Sequence, residues 1–512
     1  MTDFTTLYRG GHILSPAYPT ATAMLVTGET VSWLGTDADA PSADETVQLD
    51  GCLVTPAFVD SHAHVSGTGG ALLGLNLSET RSAAELLDLV SAVADKLPRT
   101  AVILGAGFDE TEWDTPELPS GETLSRAVGG RRAYLSRTCG HIGIASAALL
   151  LDRPDLAALE GYSETGVLTL YAHRAARAAA NAAVPETQRT EAQRVALRHA
   201  ASLGIAAVVE CGTPTPGSSL GEDDFTGLLA LADSGEPLPR VFGYWGELNG
   251  AAKARELGAH ACAGDLSVDG SIGAHTAALR EPYADADVLG HAYLSAEDVE
   301  QHIISCAGHG MQGGFHAIGD QAVTNVITGI AAAAQTVGVE TIRAGRHRVE
   351  HAEMLDKQLI AGFVAFGLYA SVQPAFDDRW GGTDAMYATR LGVERSLAAN
   401  PFGSLAGVGV PLALGSDSPV TPLDPWGGVR AAVNHRNPSQ GLTPTAAFAA
   451  HTRGGWRAVG DDEAGVLTPG APASLAVWEH RAAGLPDVAN AAAPRCRRTV
   501  HSGTVIFDEE AP

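Results

Sequence analysis

Lysine is almost missing from this chain of 512 residues: Lys96, Lys253 and Lys357 are the only three. Arginine supplies the rest of the positive charge and is outnumbered, since 33 Lys and Arg face 59 Asp and Glu for a formal net charge of −26. No basic patch is evident, which argues against nucleic acid or an anionic membrane as partner. Cysteine is scarce and scattered, at Cys52, Cys139, Cys211, Cys262, Cys306 and Cys496, without a C-x-x-C pair. That pattern predicts reduced thiols in a cytoplasmic protein rather than a disulfide framework. No apolar run reaches the length of about 18 residues that a membrane span needs. The segment after Met1 has no basic stretch followed by an apolar one, so no signal peptide is expected. What remains is ordinary for a folded enzyme-sized chain: 45% hydrophobic and 18% charged residues, enough for one large domain and a smaller one and too apolar for wholesale disorder.

The chemistry-bearing residues are histidines. His62 and His64 close the apolar run Leu53–Ser61, and residues two apart on a strand point the same way. Two imidazoles therefore leave one strand end side by side, spaced to grip one metal ion. Three later segments repeat the pattern of a short apolar strand ending in a ligand-type residue: Met311–Phe315 before His316, Arg346–Glu350 before His351, and Pro411–Ser416 before Asp417. Alone, each is equally an ordinary core histidine or a turn aspartate. As a set of four His and one Asp at strand ends they point to a metal centre.

The texture along the chain supports this. Residues 1–55 and 461–512 read as short strands with turns, two β-rich pieces that can complete one another into a small β-sandwich. Between them strands alternate with helices, with strand candidates at Leu53–Ser61, Gly204–Glu210, Arg240–Glu247, Leu266–Asp269, Gly313–His316, Arg346–His351, Ala370–Gln373 and Leu412–Asp417. Eight βα units over 56–460 with functional residues at strand C-termini predict an α/β fold of the TIM (β/α)8 type. The interval from about 65 to 189 is far longer than one unit. It is expected to be an insertion after strand one that covers the barrel mouth.

These stretches also carry a resemblance. Thr55–His64, Cys139-Gly-His141-Ile-Gly, Val268–Leu279 with its Asp-Gly-Ser-Ile-Gly, Phe315–Asp320, Arg346–His351, Ser371–Pro374 and Leu414–Val420 together resemble the amidohydrolase superfamily, of the amidohydrolase-3 type that includes N-substituted formamide deformylases. The resemblance implies a TIM barrel with a terminal β-sandwich. It also implies His62, His64, His316, His351 and Asp417 as ligands of one or two divalent ions, zinc first among them. Two departures stand out. Relatives often carry a lysine four residues before the Asp of Asp-Gly-Ser-Ile-Gly, where its carbamate bridges two metals; here that position is Asp265. None of the three lysines ends a strand, so no carbamate is expected. The substitute sought is on strand two, where Val208-Val209-Glu210-Cys211-Gly212 is similar to the Asn-Cys-Gly of D-aminoacylases. Cys211 is preferred to Glu210, because alternation lets only one of them reach the metal. In the second departure Phe376 replaces a histidine that many relatives have two residues after Pro374.

The implied activity is hydrolysis of a non-peptide C–N bond, in an N-acyl or N-formyl amine, by hydroxide held at the metal. Asp417 is expected to accept the proton and pass it to the leaving amine. His275 and His141 are candidates to stabilise the oxyanion. Trp113, Gln373 and Asp320, with His141, are candidate substrate contacts. The alternatives are deamination of a heterocycle and a degenerate, inactive barrel. The expected partner is a small-molecule substrate, with a homodimer left open.

Overall fold

The computed structural model describes residues 4–138, 142–212 and 221–510. Its central feature is a ring of parallel strands. Phe58–Ala63, Ile205–Gly212 and Arg240–Trp245 form one sheet, and Gly314–Ala317, Arg348–His351, Tyr369–Val372 and Leu412–Leu414 form another. Parallel bridges join the two. Tyr244 pairs with Ala261, Cys262 with Gly313 and Ser267 with His316, so the segment Ala261–Ser267 fills the fourth position. At the other seam Ala63 pairs with Ser418, where the Asp417 N–H donates to the His62 carbonyl at 2.7 Å and the His64 N–H to the Ser418 carbonyl at 2.8 Å. The ring therefore closes as a (β/α)8 barrel. Phe58–Ala63, Ile205–Gly212, Arg348–His351 and Tyr369–Val372 are buried along their length, as strands covered on both faces of a parallel sheet are.

Two strand expectations need correction. Leu53–Ser61 is not one strand: Leu53–Pro56 lies antiparallel to Leu475–Trp478, and Phe58–Ala63 belongs to the barrel. The change of sheet falls at Ala57, whose N–H donates to the Ser474 carbonyl, whereas that of Phe58 already donates to Gly204. Leu266–Asp269, expected as a strand, is irregular. Gly264 with φ +92° breaks the run just before Asp265, and an added Cβ there would lie 3.1 Å from the Cys211 Cα. Only glycine tolerates both demands.

The helices between strands start and stop where local chemistry directs. Ala296–Gly308 opens with a capping box in which the Ser295 side chain takes the Asp298 N–H and Asp298 takes that of Ser295. Lys357–Phe366 is capped by Asp356 and ends at Gly367 in the left-handed region.

Both chain ends meet in a two-sheet layer. A four-stranded sheet holds Thr30–Gly35, Ala23–Thr27, Thr5–Arg9 and Glu45–Gln48; a five-stranded one holds His12–Ile13, Leu53–Pro56, Leu475–Trp478, Cys496–His501 and Thr504–Asp508. Met24, Val31, Val54, Leu475, Val477 and Val500 pack between them. Residues Val65–Ala196, with the described residues 221–228, gather into a separate compact unit. It has its own five-stranded sheet and a core of Leu77, Leu86, Phe108, Trp113, Leu124 and Leu135.

Candidate metal centre

At the C-terminal rim of the barrel, four strand ends bring imidazoles and carboxylates together. His64 Nε2 lies 3.2 Å from Asp265 Oδ2 and 3.1 Å from Asp417 Oδ1. His62 Nε2 is 3.4 Å from both Asp265 Oδ1 and Asp417 Oδ1. His351 Nε2 reaches Asp265 Oδ1 at 3.9 Å, and the His316 ring sits 4.4 Å, centroid to centroid, from that of His351. His351 and Asp417 adopt positive φ, +70° and +54°, sparsely populated for residues with a Cβ and typical of sites whose surroundings over-determine the backbone. Asp60 supplies part of that constraint: its buried Oδ1 accepts the N–H groups of His62 and Ser416, tying strand one to the turn that carries Asp417.

The far nitrogens of two histidines are held. His62 Nδ1 pairs with Glu350 Oε2 at 2.9 Å, and Glu350 is gripped in turn by Arg348 at 2.5 and 2.8 Å, all three side chains being fully buried. Arg348 also donates to the Ser61 carbonyl and the Ser371 hydroxyl, and its guanidinium covers the Tyr244 ring. His351 Nδ1 donates to Gln373 Oε1 at 2.8 Å. With the protons on Nδ1, the Nε2 lone pairs of His62 and His351 are free to bind a cation. Burial would push Glu350 up, yet Arg348 and His62 hold its carboxyl down at about 2. Burial works likewise against charge on His62 and Asp417. The carboxylates of Asp265 and Asp417 nonetheless raise His62, and the two histidines hold Asp417 well below the usual carboxylate range.

His62 Nε2, His351 Nε2, Asp265 Oδ1 and Asp417 Oδ1 are all buried without a hydrogen-bond partner. Four orphaned lone-pair atoms converging on one space is costly unless something cationic fills it. The 3.1–3.4 Å separations among His62, His64, Asp265 and Asp417 are those of neighbouring donors around one tetrahedral ion with bonds of about 2.0–2.2 Å. The donor set fits a divalent metal.

Asp265 is the member that sequence reasoning passed over. Its position was conspicuous as the site of the absent lysine, and the structure places its carboxylate between His62, His64 and His351. Cys211, the expected substitute, also lies close: its Sγ is within 4.8 Å of ligand atoms of His62 and Glu350. Burial pushes its thiol up to about 11, and it packs with Val209, Tyr244 and Ala263. Glu210 is fully buried beside it. Asp265 is the carboxylate seen to reach His62 and His64 on one side and His351 on the other.

The remaining candidates fall elsewhere. Gln373 supports His351 as above. Trp113 is a core residue of the Val65–Ala196 unit, its indole N–H donating to the Thr80 carbonyl, so it is packing rather than a substrate contact. His275 pairs with Asp285, which Arg390 also binds, and its ring meets Tyr283 edge-on; it is not among the clustered ligands. Asp320 accepts the Arg280 N–H and opens the helix Asp320–Val337, a loop-fixing role. His141 lies outside the described residues. Asp269, of the Asp-Gly-Ser-Ile-Gly motif, accepts the N–H groups of Ala278, Ile318 and Gly319, holding the loops beside His316. Phe376, which replaces the relatives' histidine, stacks on His351 at 5.8 Å and 12°, and Trp380 extends the aromatic wall at 4.8 Å.

Comparisons with known proteins agree with this geometry. Residues 45–507 match the amidohydrolase family. The putative amidohydrolase YtcJ of Bacillus subtilis is 28% identical over 420 residues, covering 76% of this chain and 74% of YtcJ. The protein LONG AFTER FAR-RED 3 of Arabidopsis thaliana is 26% identical over 464 residues, covering 84% of this chain and 78% of its own length. Among solved structures, an uncharacterized metal-dependent hydrolase from Pyrococcus furiosus superposes with a TM-score of 0.77 at 25% identity, over 92% of this chain and 98% of that one. The barrel, its rim of histidines and aspartates and these likenesses lead to one assignment: the chain belongs to the amidohydrolase family.

Proposed function

We propose that the protein is a divalent-metal hydrolase that cleaves an acyl C–N bond outside peptides, in an N-acyl or N-formyl amine. The observation that carries this is the convergence of orphaned His62 Nε2, His351 Nε2, Asp265 Oδ1 and Asp417 Oδ1 on one buried space. Zinc suits this set of neutral imidazoles and carboxylates. His62, His64 and Asp417 would hold one ion and His316 and His351 a second, with Asp265 facing both pairs in place of a carbamate. A bound ion would supply an activated water near neutral pH and polarise the scissile carbonyl.

The chain's own residues do the rest. Glu350 and Gln373 keep the His62 and His351 protons on Nδ1, so both rings present Nε2 to the site. Asp417, ionised at neutral pH, takes the proton of the attacking water and delivers it to the amine nitrogen, which cannot leave unprotonated. The Phe376–Trp380 wall excludes water beside His351 and suits an apolar or aryl substituent. Assay of zinc-loaded protein against N-formyl and N-acyl amines and against aminated heterocycles tests the reading. Amine release from the first group, lost on chelation and restored by zinc, is the expected result. Turnover confined to the heterocycles would replace it with deamination.

A further inference from the structure

The Val65–Ala196 unit contains a cavity that no step above uses. A hollow of about 250 Å³ is lined by Leu73, Val93, Leu97, Val102, Ile103 and Val184, among others, and adjoins a wider recess of about 510 Å³. Gly70, Gly74, Leu75, Leu104 and Asn181 line both, so the two form one space. Its depth is largely aliphatic, Gln188 and Arg189 also lining it but engaged with the Val102 and Val184 carbonyls and Asp224. Its mouth is polar, with Tyr134, Ser136, Asn76 and Arg177.

Two features set this space apart from a packing fault. The first is the helix Val65–Leu73. Gly69 is required there, since a Cβ would lie 1.8 Å from the Ala192 carbonyl oxygen. Gly70 is not, because nothing lies within 4 Å of a Cβ built on it. A helical glycine costs about 1 kcal/mol relative to alanine, and here what it leaves is open space. The second is charge. The chain carries 59 acidic residues, yet among the described residues not one lines either part of the cavity. Arg177, exposed at the mouth, makes no hydrogen bond or ion pair with a described residue, and neither does the side-chain amide of Asn181. A largely aliphatic interior whose own guanidinium, Arg189, is already engaged, with an unpaired Arg177 and the free Asn181 amide towards its entrance, is complementary to an amphipathic anion.

We propose that this cavity binds a carboxylate with an apolar tail, the tail against Leu97, Ile103 and Leu104 and the carboxylate at Arg177 and Asn181. Octanoate is the probe, titrated into the full-length, metal-loaded protein by calorimetry, with neutral octanamide as control. Saturable binding of octanoate is expected, roughly tenfold weaker for octanamide and for Arg177→Gln. Arg177 is exposed, so that variant leaves the fold intact. Gly70→Phe should fill the hollow and weaken octanoate by more than about tenfold, whereas Gly70→Ala, a lone methyl in open space, should bind it normally. No saturable binding overturns the proposal. So does octanoate binding that Gly70→Phe leaves unchanged but chelation abolishes, since the carboxylate then sits on the metal. Equal affinity for octanamide overturns the carboxylate assignment.

Discussion

His62, His64, Asp265, His351 and Asp417 on one side, and Cys262, His302 and Cys306 on the other, are two sets of ligand-type residues in the same barrel. Their hydrogen bonds differ in kind. In the first group the Nδ1 atoms of His62 and His351 are engaged and Nε2 is orphaned. In the second nothing is left over. His302 Nδ1 accepts the Asn249 N–H at 3.0 Å and Nε2 donates to the Cys262 carbonyl at 3.0 Å. Cys262 Sγ reaches the Glu247 carbonyl, and its hydrogen bond with Cys306, together with burial, raises the Cys306 thiol well above its usual range. To bind a metal, His302 would have to move its proton onto Nδ1, where it would face another N–H. Proximity of ligand atoms is common to both groups; the free lone pair, imposed by the residues behind the ring, belongs to one.

The comparison is broken most directly by removing a member of each group. Asp265→Ala should lose at least part of the bound metal and lower turnover by more than about 10²-fold. His302→Gln should leave metal content unchanged. Elemental analysis of both variants checks this, and loss of metal from the His302 variant alone would reverse the assignment of the two groups. Asp417→Asn should lower kcat by about 10²-fold through loss of the proton relay, with binding of a substrate-like inhibitor changed less. Because Asp417 also faces the ion, metal must be measured on the same sample, and full occupancy with normal turnover would rule out the relay.

The two groups also differ in how far the sequence discloses them. His62, His64, His316, His351 and Asp417 could be read because each ends a short apolar strand, where a period of two fixes direction. Asp265 could not, since Gly264 interrupts the regular strand and alternation has no hold on an irregular segment. Reasoning about the missing lysine therefore turned to strand two, whose regularity made Cys211 look aimed. Trp113 was misread for another reason: an aromatic near a predicted barrel mouth looks like a pocket wall until the insertion proves to have a core of its own. The partners that set tautomers, Glu350 and Gln373, lie beside recognisable motifs, but their roles depend on contacts across strands 288 and 22 residues apart.

Glu350→Gln sharpens the contrast by altering the residue behind a ring rather than a ligand. The amide can still accept from His62 Nδ1, but without the charge that favours metal on Nε2. Metal affinity should fall by about 10- to 100-fold, as for other groups that orient a ligating histidine. Arg348 would keep a buried charge without its counter-ion, a loss of about 3–5 kcal/mol in such settings. Competition with a chromophoric chelator and denaturant unfolding read the two effects separately. Unchanged metal affinity would show that Glu350 serves Arg348 alone.

The smallest expected effect lies in the second group and concerns pH. Burial depresses the His302 imidazole to about 4, against an accepting Cys262 carbonyl that works the other way. A histidine whose folded pKa lies below its unfolded value of about 6.5 favours the fold in its neutral form. Its contribution is therefore complete above about pH 6.5 and shrinks as pH falls towards 4, because the unfolded chain takes up a proton that the folded one refuses. The span corresponds to a few kcal/mol at most, on the order of 1.4 kcal/mol per unit. His302→Gln removes the titration and, with it, this part of the acid sensitivity. Its stability deficit relative to the parent should narrow as pH is lowered through that window. Urea unfolding of both proteins after chelation, at several pH values between about 4.5 and 7, isolates the effect from metal loss. A deficit independent of pH would mean that His302 is not held neutral by burial, and the distinction between the two groups would then rest on the orphaned Nε2 atoms alone.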